Sequence, residues 1–197
     1  EGQASQGEHA TGRKGKEKVG GLGMSGNNDA AHVQLMRWFD AVDEDRSGNV
    51  DAGELRKALA SAGLDFSLHT TAMMIRMYDR SRTGTINFEE FTHLHHFILS
   101  IQDSFNVFDR NRDGVLDRNE IHQALTHNGF QLDGPSFSAV FQTFDPNRTH
   151  ALRLDDFIAM ASFLSASRSM FSAFDYQQTG RIQLDFSQFV YAASHLR

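Results

Sequence analysis

The chain has 197 residues, 40% of them hydrophobic, with 17 Phe, one Trp, no cysteine and a formal net charge of −6. That length and apolar share can bury one substantial core or two connected lobes. Without cysteine there is no disulfide framework and no thiol nucleophile, which fits a reducing compartment, and the acidic balance offers nucleic acid no broad basic face. No run approaches the ~18 apolar residues of a membrane span and no signal-peptide core is visible, so membrane association is expected to be peripheral at most.

Residues 1–28 hold eight of the 16 glycines and almost nothing apolar. Such a segment cannot bury enough surface to offset the entropy of ordering, and it is expected to be a disordered Gly-rich tail. Its basic run Arg13-Lys14-Gly15-Lys16-Glu17-Lys18 is expected to be solvated; contact with acidic lipid is the less favoured reading. Gly21-x-Gly23-x-x-Gly26 matches a dinucleotide fingerprint in spacing only. That motif requires a preceding strand within a βαβ unit, which residues 13–20 do not offer.

Residues 29–197 contain five look-alike segments that open at Asp43, Asp79, Asp109, Asp145 and Asp175. The first runs Asp43, Asp45, Ser47, Asn49, Asp51 and Glu54 at positions 1, 3, 5, 7, 9 and 12. This is the twelve-residue calcium loop, in which side-chain oxygens, the position-7 carbonyl (here that of Asn49) and a bidentate Glu surround a hard cation. Gly48 stands at position 6, where φ must be positive and a Cβ is expected to clash. The third loop is as complete: Asp109, Asn111, Asp113, the Val115 carbonyl, Asp117 and Glu120, with Gly114 at the turn. The second keeps the frame with Asp79, Ser81, Thr83, Thr85, Asn87 and Glu90. Only two of those carry charge, against four carboxylates in loops one and three, so it is expected to bind more weakly. The fourth has His150 at position 6, Arg153 at position 9 and the short Asp156 at position 12, and is expected to be structural. In the fifth, position 12 falls on Phe186, and the expected polar-plus-aromatic pair arrives two residues late as Gln188-Phe189. A two-residue insertion accounts for this.

Loop starts are separated by 36, 30, 36 and 30 residues. The longer intervals hold glycine or proline and read as outgoing helix, linker and incoming helix. Phe91–Phe108 holds neither, and Phe91, Leu94, Ile98, Ile101, Phe105 and Phe108 recur at helical spacing on one face. One helix is therefore expected to serve hands two and three. Phe157–Phe174 repeats this for hands four and five, with Phe157, Ala161, Leu164, Phe171 and Phe174 on the face. The fold class is all-α: five helix-loop-helix units at about 33–64, 69–98, 99–129, 136–165 and 166–197. Apolar position 8 (Val50, Ile86, Leu116, Leu152) is expected to pair hands one with two and three with four through short strands, leaving Ile182 of hand five with an open edge. His93, His95 and His96 lack any zinc-type spacing partner and are expected to be surface or satisfied histidines. The sequon Asn147-Arg148-Thr149 carries no weight within a loop of this kind.

With its alternating spacing, strong first and third loops and insertion in the fifth, the chain from about Ala30 onward resembles the penta-EF-hand family, and within it the programmed-cell-death-6, apoptosis-linked type. The resemblance implies Ca2+ as the ligand. It also implies a homodimer formed through the fifth hands, with Ile182, Phe186 and Phe189 at the contact; a heterodimer with another family member is the variant of that expectation. Protein or peptide ligands, including proline-rich segments, are expected to bind in a calcium-dependent way near the linker Thr126–Pro135. The expected function is a cytoplasmic calcium sensor and adaptor with no catalytic activity. The alternatives are the non-catalytic regulatory subunit of a calpain-like protease, or a calcium buffer.

Overall fold

The structure, a computed structural model, describes residues 25–196. Among the described residues, those from Leu35 onward form one compact unit. Ten elements follow one another: α1 (Ser25–Val42), α2 (Ala52–Ser61), α3 (Leu68–Tyr78), α4 (Phe88–Phe108), β1 (Leu116–Asp117), α5 (Arg118–His127), α6 (Gly134–Phe144), β2 (Ala151–Leu152), α7 (Leu154–Phe174) and α8 (Phe186–His195). The fold is all-α apart from the two-stranded ribbon. The basic run and the first two glycines of the tail's pattern, Gly21 and Gly23, lie outside the described residues, as do the first 24 of the 28 residues read as tail, while residues 25–28, Gly26 among them, already belong to α1.

Helix boundaries are written into side chains. Asp51, Asn87 and Asp117 each cap the following helix by accepting a backbone amide, and the residue at N3 (Glu54, Glu90, Glu120) accepts the amide of the cap in return. This capping box satisfies donors that a helix start would otherwise leave unmade. Ser67 and Asp133 cap α3 and α6. The Asp133 carboxyl is held below its ordinary range by the Ser136 hydroxyl and amide. With Pro135 in its first turn, α6 claims Gly134 and Pro135, and α5 claims Thr126 and His127. The linker between hands three and four is therefore residues 128–133, shorter than the sequence suggested.

Strand pairing is as the position-8 residues require. Val50 and Ile86 exchange backbone hydrogen bonds of 2.8 and 2.9 Å in an antiparallel bridge, and Leu116 lies opposite Leu152 in the β1–β2 ribbon. All four of these side chains are fully buried, and so are Leu55, Phe91, Ile121 and Phe157, which follow position 12. Each such burial contributes roughly 1.5–3 kcal/mol, and the eight form the spine of one continuous core. The face predicted on α4 is buried from Phe91 to Phe105. On α7 the predicted face holds for Phe157, Ala161 and Leu164 but fails at its far end, where Phe171 is 38% exposed. The last turns of α7 serve hand five, and among the described residues nothing covers Phe171 fully.

In one respect α7 departs from expectation. It is 21 residues long and contains an 18-residue stretch with a mean hydropathy of 1.2, enough by length and composition for a membrane span. Residues 157–162 and Leu164 are buried in the helical core, which accounts for that apolarity.

Candidate metal centre

Each loop begins where an incoming helix ends and closes where the outgoing helix begins. In loop one the Asp43 carboxylate turns inward and accepts the amides of Ser47 (2.9 Å) and Gly48 (2.8 Å). Burial works against its ionisation, but these amides, with the side chains of Asp45 and Ser47, outweigh that and hold the Asp43 carboxyl below its usual range. Asp79 and Asp175 sit in the same cradle of position-5 and position-6 amides and are lowered against the same opposing burial. Ser47 Oγ donates to the Asn49 carbonyl (2.9 Å), which gathers positions 5 and 7. Carboxylate oxygens of Asp43, Asp45 and Glu54 all lie within 4.8 Å of one another. Three like charges brought this close oppose one another unless a cation joins them, and this set of hard oxygens fits a divalent ion such as calcium.

Loop three repeats the frame with its own variations. Asp109 accepts the amides of Asp113 (3.2 Å) and Gly114 (3.1 Å). Asn111 replaces the aspartate of loop one and donates to Asp113 Oδ2 at 2.7 Å, and Val115 donates its amide to Asp113 Oδ1. In loop two the Ser81 and Thr83 hydroxyls lie 3.1 and 3.5 Å from Asp79 Oδ1, and Thr83 Oγ1 also lies 3.2 Å from the Thr85 carbonyl and 3.0 Å from the Thr85 hydroxyl. Hydroxyls supply oxygen without charge there.

One feature of these three loops was not read from the sequence. Glu54 accepts the amide of Glu44 on one oxygen (3.0 Å) and of Asp51 on the other (2.9 Å). Glu90 joins Arg80 to Asn87 (2.9 and 3.1 Å), and Glu120 joins Arg110 to Asp117 (3.4 and 3.0 Å). The position-12 carboxylate thus ties the second loop residue to the start of the outgoing helix. Loop four lacks this tie for two reasons: Asp156 is one methylene short, and position 2 is Pro146, which has no amide to give. Burial, followed by the charge of Asp155, pushes the Asp156 carboxyl up. In loop five Gln188 occupies N3 of α8 and exchanges hydrogen bonds with Asp185 (3.0 and 2.8 Å). The residue doing the work of position 12 therefore comes two places late, as the proposed insertion requires, and it carries no charge.

Backbone conformation corrects the expectation for Gly48. Its φ is +78°, yet nothing lies within 4 Å of where a Cβ would stand. The preference for glycine is conformational, since an L residue is strained in the left-handed region, and no clash is involved. His150 occupies the matching place at φ +62°. Position 4 is also left-handed in every loop: Arg46, Arg82, Arg112 and Arg148 at +55° to +58°, and Gln178 at +55°. No residue preference in the sequence signals this.

The three residues expected at a dimer contact lie differently from their counterparts. Ile182 is half-buried, Phe186 is 81% exposed and Phe189 is 61% exposed. His95 lies beside Trp38 with ring centroids 5.3 Å apart; His93 and His96 are exposed.

Residues 33–94 and 99–162 match the EF-hand domain pair. Over 155 residues the chain is 33% identical to penta-EF hand domain-containing protein 2 of Dictyostelium discoideum, covering 79% of this chain and 75% of that protein. Human sorcin is 30% identical over 161 residues, with 79% and 80% covered. Human peflin is 31% identical over 170 residues, but the chain spans 60% of peflin's length. Among solved structures, a homolog of programmed cell death 6 protein from Leishmania major Friedlin superposes with a TM-score of 0.61 at 40% identity, covering 83% of this chain and 94% of that one. With capped twelve-residue oxygen loops paired two by two and a fifth hand beyond them, the chain belongs to the penta-EF-hand family of calcium-binding proteins.

Proposed function

We propose that the protein is a cytoplasmic calcium sensor and adaptor that dimerises through its fifth hands and has no catalytic role. The observation that carries the sensing part is the double hydrogen bond of Glu54 and Glu120. Each carboxylate belongs to the oxygen set of its loop and is also the third residue of the outgoing helix, so its position and the pose of α2 or α5 are linked. Asp43, Asp45, Ser47, Asn49, Asp51 and Glu54 would hold one ion and Asp109, Asn111, Asp113, Val115, Asp117 and Glu120 another. Asp79, Ser81, Thr83, Thr85, Asn87 and Glu90 would hold a third more weakly. Bound calcium supplies two positive charges to a cluster of carboxylates that otherwise repel.

Dimerisation is supported by hand five. The residues that are fully buried at position 8 and after position 12 in the other hands correspond here to half-buried Ile182 and exposed Phe189. An uncovered apolar face of this kind favours a self-complementary partner. Extended, proline-rich segments near residues 128–133 are the proposed targets, and any membrane association is peripheral and calcium-dependent.

Trp38, which packs on Phe91 of α4 with ring centroids 4.9 Å apart, reports on the first hands. Addition of micromolar calcium is expected to change its fluorescence and the signal of a hydrophobic dye, and both changes should vanish in Glu54→Ala plus Glu120→Ala. If calcium binds and neither signal responds, the protein is a buffer and the sensor reading fails.

A further inference from the structure

Beside the fourth loop lies a cavity of about 620 Å³ whose walls come from α5, α6 and the loop itself. Arg118, the first residue of α5, lies over the rings of Phe137 and Phe141 at 4.9 and 5.2 Å from their centroids. Its Nη2 donates to Ser138 Oγ at 2.5 Å, so most of its five donors remain uncommitted. Arg148 reaches the same cavity from the loop, along with His150 and Gln142. Among the described residues neither guanidinium has a carboxylate partner.

The one carboxylate in the wall does not neutralise them. Asp145 is 6% exposed, and its oxygens accept the Thr149 amide and hydroxyl (2.8 and 2.9 Å) and the His150 amide (2.8 Å). Its charge is turned into the loop. The result is a cationic recess with an apolar floor, on a chain whose net charge is −6.

From this arrangement we infer that the recess beside the fourth loop binds a phosphate monoester carried on the side chain of a peptide. Two guanidiniums present forked donors suited to a phosphate, which brings about −1.5 to −2 charge and three acceptor oxygens. A cluster of arginines reading a phosphorylated motif is a recurrent recognition mode. Exposed Pro146 gives the neighbouring peptide atoms an apolar surface. An anionic bilayer is the poorer match: it is planar, and it repels a chain of net charge −6 as a whole. A single phosphorylated side chain meets only the local field.

The test uses the full chain, 15N-labelled, in buffer stripped of calcium by chelating resin, which keeps the outcome independent of the calcium-sensor reading. It is titrated with a Gly-Ala-phosphoserine-Ala-Gly peptide, its serine counterpart and inorganic phosphate. Co-sedimentation with phosphatidylcholine vesicles containing phosphatidylinositol bisphosphate forms a fourth arm. The phosphopeptide is expected to shift the amides of Gln142, Arg148 and His150 and to bind at least about tenfold more tightly than phosphate or the serine peptide. Arg118→Gln plus Arg148→Gln should weaken it by about tenfold or more. Gln142→Glu, at an exposed helix position that leaves both arginines in place, should weaken it in the same direction even if the double variant folds poorly. Three results overturn the inference: phosphopeptide binding unchanged in Gln142→Glu and in a folded double variant, equal affinity for inorganic phosphate, or vesicle binding without peptide binding.

Discussion

Glu54, Glu90 and Glu120 each close a capping box, and as the proposed position-12 calcium ligands they would each serve twice. A Gln keeps the cap but loses the charge and, because its amide nitrogen cannot accept, the longer bond to the second loop residue (3.4 Å in loop three). Glu120→Gln is therefore expected to lower calcium affinity at loop three by at least about tenfold while leaving the calcium-free melting curve close to wild type. Calorimetry and circular dichroism on the same samples separate the two. Gly48→Ala should cost about 1 kcal/mol in urea unfolding, from left-handed backbone strain and not from crowding. His95 offers a pH test. Burial, and then the charge of His96, lowers its pKa below the ordinary 6.5, and its Nδ1 is buried without a partner. As pH falls the unfolded chain takes up this proton first. The neutral ring's contribution is thus fully present above 6.5 and declines as pH falls through 6.5 toward the folded value. His95→Phe, which keeps a ring beside Trp38, should flatten the loss of stability between about pH 7.5 and 5.5. The loop frame and its capping residues were legible at this scale because a fixed spacing assigns each position its place. The left-handed position 4 and the missing Pro146 amide were not, since both concern backbone conformation and hydrogen bonding that many side chains tolerate.

Pairing of hands rests on position 8 and on the residue after position 12. Ile86 is fully buried and bonded to Val50, so Ile86→Ala should cost about 2–5 kcal/mol and weaken calcium binding at loop one, whose partner strand it loosens. Phe189→Ala removes a larger side chain from an exposed site and should change the unfolding free energy of the monomer by no more than about 0.5 kcal/mol. Denaturant titrations of the two variants at low protein concentration make the comparison. The sequence told these elements apart well on α4, where one uninterrupted face meets one core. It told them apart less well on α7, whose buried residues 157–162 run around the helix and whose last turns leave Phe171 exposed. Periodicity reports which face is apolar; it does not report where along the helix the neighbours stop.

In the molecule as a whole, α4 and α7 each belong to two hands and bring the two pairs into one core, while α8 keeps Phe186, Phe189, Val190 and Tyr191 largely uncovered. If that face joins two copies, sedimentation of the wild type should give twice the 22.1 kDa chain mass. Phe186→Ser plus Phe189→Ser should return it to the monomer without unfolding it. Calcium occupancy is more central than assembly, because the division of labour among the five loops depends on it. The direct measurement is calorimetric titration of calcium into the calcium-free full chain, beside Glu54→Ala plus Glu120→Ala. Two tightly held ions per wild-type chain, a weaker third and no tight site in the variant are expected. Tight binding that survives in the variant, or a wild type that takes up fewer than two ions, contradicts the assignment of loops one and three.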